Sequence, residues 1–172
     1  MKKRMLFFAL LLMAAVGVQA QSLTGTWKTA PETDEDGDTS TWIFAFKQNS
    51  QFTLGMTMST SDPEVGTFEF SLTMPGTYKR DGNTLTLNVD PKKSEGKISK
   101  MEFSSEMEEL FKDNPELKKT IMEMLQKTVD QELKKSFQEE LPFDGDLTIQ
   151  KLTSTTLELT DDDDVIKFTR VP

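Results

Sequence analysis

Gln51-Phe52-Thr53-Leu54-Gly55-Met56-Thr57-Met58 sets an apolar side chain at every second position, with Thr, Gly or Gln in between. A period of two puts Phe52, Leu54, Met56 and Met58 on one face of an extended chain. The same alternation surrounds this stretch. Residues 41–47 carry Trp42, Phe44 and Phe46 on one face, residues 67–74 carry Phe68, Phe70, Leu72 and Met74, and residues 84–90 carry Leu85, Leu87 and Val89. Later come the pairs Leu147/Ile149, Leu157/Leu159 and Ile166/Phe168. The opposite face of each run is rich in Thr, Ser or charge, the pattern of antiparallel strands with one side in water.

The breaks between runs carry turn chemistry. Asn49-Ser50 and Pro75-Gly76 each read as a point where one strand ends and the next begins. Arg80-Asp81-Gly82-Asn83 reads as a hairpin, because Gly and Asn accept positive φ. Residues 153–155 and 161–164 join the last three strands. An up-and-down meander of eight to ten such strands curls and closes, so the expected fold is mainly β, an antiparallel β-barrel.

Residues 105–141 break the alternation. They contain no Gly and are rich in helix formers. Ser104 or Ser105 can cap the start, and Asn114-Pro115 divides a short helix from a longer one, Pro being tolerated in a first helical turn. On the longer helix Leu117, Ile121, Leu125, Val129, Leu133 and Phe137 recur every four residues. Each step drifts by about 40°, so the stripe winds around the helix. The expectation is a helical insertion before the last three strands that caps the barrel, with Leu117, Ile121 and Leu125 against strand side chains. Met107, Met122 and Met124 would give it an adaptable apolar surface if it instead docks a partner.

Residues 1–4 are basic, residues 5–16 almost wholly apolar, and Val18-Gln19-Ala20 short-chained. That order is a secretory leader over residues 1–20, with an apolar run too short to span a bilayer comfortably. The expected products are a cleaved leader and one domain over residues 21–172, in the periplasm or outside the cell, without membrane insertion. Lys2, Lys3 and Arg4 leave with the leader. Of 20 basic residues 17 then remain against 29 acidic ones, a net charge of −12. Nucleic acid is not an expected partner, because phosphate backbones are held by Lys and Arg patches.

The chain has neither Cys nor His. It can form no disulfide and carry no lipoprotein anchor on Cys, and the Ser-His-Asp, Cys-His and usual zinc chemistries are absent. The expected protein is not an enzyme and uses no cofactor and no metal. Asp34-Glu35-Asp36-Gly37-Asp38 looks like part of a calcium loop, but Phe46 or Lys47 falls where a later Glu would be needed. It reads as a solvated acidic loop, as does the run of residues 161–164.

Gly25-Thr26-Trp27 follows the leader closely, and Phe168-Thr169-Arg170 lies near the other end. With these residues the layout resembles the secreted lipocalin-like (calycin) proteins common in Bacteroidetes-type bacteria, whose first strand carries Gly-x-Trp and whose last strand keeps an Arg. The resemblance spans most of residues 22–104 and 146–172 and leaves out the helical insertion. It implies a barrel closed at one end by Trp27 packed on Arg170, a cation–π contact of about 0.5–2 kcal/mol. It implies more loosely the binding of a small apolar molecule.

The inward-facing Phe44, Phe46, Phe52, Met56, Met58, Phe68, Phe70 and Met74 are the candidates to line a ligand cavity; the alternative is that they fill the barrel outright. The expected function is binding of a small apolar or amphipathic ligand inside the barrel. The alternative function is a non-catalytic protein-interaction module that uses the helical insertion or the acidic surface.

Overall fold

The chain runs β1 (Gly25–Thr29), β2 (Glu32–Thr33), β3 (Thr39–Phe46), β4 (Gln51–Asp62), β5 (Gly66–Asp81), β6 (Thr84–Val89), β7 (Glu95–Phe103), α1 (Ser105–Lys112), α2 (Pro115–Glu139), β8 (Gly145–Leu152), β9 (Thr156–Asp161) and β10 (Asp164–Arg170). This computed structural model describes residues 22–139, 143–161 and 164–172. Residues 1–21, which hold the expected leader, and Asp162 and Asp163 of the acidic turn lie outside the described residues. So do the end of the insertion at 140–142 and the side chains of Leu133 and Phe137, the last members of the winding stripe.

Eight strands close on themselves in the order β1-β10-β9-β8-β6-β5-β4-β3, and β3 pairs back to β1. Every pairing is antiparallel, and both helices precede the last three strands, so the barrel with its insertion is present. β2 adds two residues beside β3. β7 lies off the barrel path.

The sixteen residues of β5 explain where β7 goes. β6 pairs with residues 76–81 of β5, and β7 pairs with residues 66–73 along the same edge. Between them the chain jogs through a single 3-10 turn, Pro91–Lys93. β4 and β5 therefore continue past the barrel wall and, with β7, form a three-stranded extension.

Pro75-Gly76 does not end a strand as its composition predicts; β5 passes straight through it. The carbonyl of Pro75 accepts from Asp90 N–H, so the ring nitrogen faces the gap between β6 and β7, where the ladder demands no donor. Gly76 allows close approach. A Cβ there would stand 2.5 Å from both the Asn88 carbonyl oxygen and the Phe52 ring. Gly66 has the same role at the tip, with φ +136 and no room for a side chain against the Glu102 carbonyl.

The helices also part from expectation. Ser104 caps α1, its hydroxyl accepting from Met107 N–H at 3.2 Å and donating to the Glu64 carbonyl at 2.7 Å. α2, however, lies along β7 and the 3-10 turn, away from the barrel mouth. Leu117 is 39% exposed, and Ile121 and Leu125 are half-buried. The physical reason is the edge of β7, whose backbone groups need partners that a helix across the mouth could not supply. The mouth is stoppered by Phe143 instead, whose ring lies 5.2 Å from Trp42 and 5.4 Å from Phe44 in edge-on geometry. Phe143 sits at φ +61, strain of order 1 kcal/mol that its burial offsets.

Candidate functional site

The eight predicted lining residues separate into two places. Phe44, Phe46, Phe52 and Met74 stand inside the barrel. The Phe44 ring lies 5.4 Å from Phe46, 6.0 Å from Phe52 and 5.1 Å from Phe168. Trp27, Phe44, Leu54, Met74, Leu85, Leu87, Leu157, Leu159 and Phe168 are each 0% exposed. A side chain with no accessible surface has no water-sized space against it. The bore of the barrel is filled by its own side chains, as small barrels allow.

Met56 packs half-buried on the margin of this core. Met58, Phe68 and Phe70 lie beyond it on the same sheet face, on the extension. Met58 is opposite Phe70, Phe70 opposite Ile98, and Phe68 opposite Met101. Here a second aromatic cluster forms. Phe68 is 6.4 Å from Phe70 and 5.8 Å from Phe103, and Phe103 is 4.9 Å from the buried Phe111 of α1. The Lys118 ammonium lies 5.5 Å and 5.7 Å from the Phe103 and Phe111 rings while bonded to Glu108 at 2.6 Å. One cation so ties α1, α2 and β7 together.

At the opposite end Arg170 stacks over Trp27, 4.3 Å from guanidinium carbon to ring centroid. Its two terminal nitrogens donate to the carbonyls of Thr24 (3.1 Å) and Ser22 (2.7 Å), and the Trp27 indole donates to the Leu23 carbonyl at 2.7 Å. The planar fork does what a lysine could not: it holds two carbonyls and a ring face at once.

Along β7 the helix takes the place of a strand. Ile98 N–H donates to Gln126 Oε1 at 3.0 Å, and Gln126 Nε2 donates to the Gly96 carbonyl at 3.2 Å. One carboxamide thus makes the two bonds that a residue of a parallel neighbouring strand would make opposite Lys97. Gly96 N–H donates to Asp130 Oδ1 at 3.1 Å. A hydrogen bond from Lys134 and this one from Gly96 hold the Asp130 carboxyl below its ordinary pKa. Sequence reasoning missed Gln126 and Asp130, because a polar residue on a helix reads as solvent-facing unless the neighbouring edge is known.

Beside this seam lies an open groove of 710 Å³, whose apolar lining is Ile98, Met101 and Met122. A second of 540 Å³ lies between α1 and α2, lined by Phe111, Pro115 and again Met122. Leu110 (52% exposed) and Met124 (61%) stand nearby on the helices. Met122 was legible in the sequence as part of an adaptable surface; Ile98 and Met101 were not.

The acidic loop is occupied by its own backbone. Asp34 Oδ1 accepts from the N–H groups of Asp36 (3.0 Å) and Asp38 (2.9 Å). Among the described residues no group of three or more acidic side chains converges to hold a metal ion. Among the same residues no helix is long and apolar enough to cross a membrane.

Fold and site together define a class: a closed eight-stranded antiparallel barrel of lipocalin-like form, with a filled bore and a helix-bearing extension. In comparison with known proteins, no family model matches the chain and no curated relative matches it.

Proposed function

We propose that this chain is a secreted or periplasmic, non-catalytic lipocalin-like binding protein for a small apolar or amphipathic molecule, with the site on the helical insertion and extension. One observation carries the reading. The side chains of the bore are fully buried, whereas Leu110, Leu117, Met122 and Met124 stand exposed on the helices. A contiguous apolar patch left in water marks a binding face, and of these four side chains Met122 lines both grooves. The basic, apolar and short-chained order of residues 1–20 supports export, and the absence of His and Cys supports a role without the common catalytic groups. The apolar face of the barrel strands points inward, opposite to a barrel whose outer wall meets lipid.

A second reading is a protein-interaction module. It draws on Leu110 and Met124, which project outside both grooves.

Native mass spectrometry of the mature protein purified from its own envelope tests both. A retained small-molecule mass is expected. A co-purifying polypeptide in its place would transfer the function to the interaction reading. A bare chain that also leaves an environment-sensitive apolar dye unaffected would overturn both.

A further inference from the structure

Two grooves meet on α2. Met122 and Glu123 line both the one against β7 and the one against α1, so the two form a single trough along the helix. Pro115 lines one end and Asp130 the other, which at the helical rise makes it on the order of 20 Å long. Its apolar lining is sparse and soft, with the thioethers of Met101 and Met122 beside Ile98 and Phe111. A few apolar side chains spread along such a length fit one flexible chain better than a compact ring system.

The charge of the trough differs from that of the molecule. Lys100, Lys112, Lys118, Lys119 and Lys127 line it, against Glu108, Glu123 and Asp130, with Lys100 and Lys112 paired to Glu102 and Glu109 at 3.1 Å each, although the whole chain carries −9. Two of these acids are engaged within the fold: Glu108 with Lys118 at 2.6 Å, and Asp130 with Lys134 at 2.8 Å and with the backbone of Gly96. Glu123 lies 4.0 Å from Lys119. Among the described residues no carboxylate lies within 4.0 Å of Lys127, on the trough one helical turn beyond Glu123. The Lys127 ammonium, with no carboxylate in contact, therefore stands beside an apolar lining, on a molecule whose remaining surface repels anions.

We infer that the trough holds a single-chain anionic amphiphile, with its alkyl chain along Met122, Met101 and Ile98 and its acidic headgroup at Lys127. This rests on the proposed placing of the binding surface on the insertion and adds the chemical class of the ligand.

The test uses the mature protein with 13C-labelled methionine methyl groups, titrated with dodecanoate below its micelle-forming concentration. Dodecyltrimethylammonium is the probe of opposite charge. Saturable shifts are expected at Met101 and Met122, none at Met74 in the bore, and little response to the ammonium surfactant. Lys127→Glu should weaken dodecanoate on the order of fivefold while leaving the thermal midpoint in place, since the residue is exposed. Equal binding of both surfactants at Met122, unaffected by Lys127→Glu, would overturn the headgroup assignment and leave the binding surface standing. Shifts at Met74 in place of Met122 would place the ligand in the bore and overturn both. A co-purifying polypeptide that shields the Met122 methyl, with dodecanoate inert, would make the occupant a protein and overturn the amphiphile.

Discussion

The barrel and its extension share two strands, β4 and β5, and one unbroken apolar sheet face, yet they bury that face in different ways. Within the barrel the face curls onto itself, and Phe52, Leu54, Leu72 and Met74 meet side chains from every other wall strand. On the extension Met58 and Phe70 continue the same alternation but remain half-buried, and Phe68 beside them is buried, in the cluster with Phe103 and Phe111. Identical patterning gives a closed core in one place and a partly open cluster in the other. What differs is closure, which depends on partners far away in the chain.

The sharpest way to break this comparison is to truncate one side chain in each region. Phe44→Ala removes the ring at the centre of the bore and should cost about 3–5 kcal/mol in equilibrium denaturation. Ile121→Ala on α2 should cost about 1–2 kcal/mol, because only part of that side chain has left water. Equal costs would mean that the extension is as deeply built as the barrel.

Arg170→Met tests the closed end. Loss of two charge-assisted hydrogen bonds and the contact with Trp27 should lower stability by about 2 kcal/mol, and Arg170→Lys should recover little of it. A lysine that restored full stability would show that charge alone, not the fork, closes the barrel.

The seam of the extension should respond less, and with a pH signature. Gln126→Ala frees the Gly96 carbonyl and the Ile98 N–H and should cost about 1 kcal/mol. The Asp130 carboxyl titrates below its unfolded value of 3.8. Its contribution is therefore complete above that value and disappears as pH falls through the lower, folded one. Wild type and Asp130→Asn should differ in denaturation midpoint at pH 7 and converge as the pH falls below 3.8. A gap that widened on acidification would reverse the assignment. The smallest effect belongs to the acidic loop: millimolar calcium should leave the melting temperature unchanged, since Asp34 already serves its own backbone. A rise of several degrees would mark a calcium site there.

Most of the barrel was legible because alternation is a local property. Each run from Trp42 to Phe168 declares its inner face without reference to its neighbours, and Ser104 and Pro115 declare the helix boundaries in the same way. What was illegible depended on distant partners. Pro75-Gly76 carries the composition of a turn, and only the gap between β6 and β7 makes it compatible with a continuous strand. The helix was sent to the barrel mouth because nothing local reveals that β7 leaves an edge to be covered. The lining set was read as one group, lining or filling a single bore, because alternation cannot say which part of a face will close.

The seam between β1 and β10 sets an order of events. Arg170 reaches back to carbonyls 146 and 148 positions earlier in the chain, so the first and last strands meet only when nearly the whole polypeptide is present. The hairpin of β4 and β5 needs no such wait, because its partners are adjacent in sequence. A chain crossing a membrane with its amino end leading would form that hairpin first and carry an unclosed wall until its last residues emerged. Because the chain has no cysteine, no disulfide can hold the unfinished wall in register. On that route barrel closure would end with a zipping step completed by the final seven-residue strand.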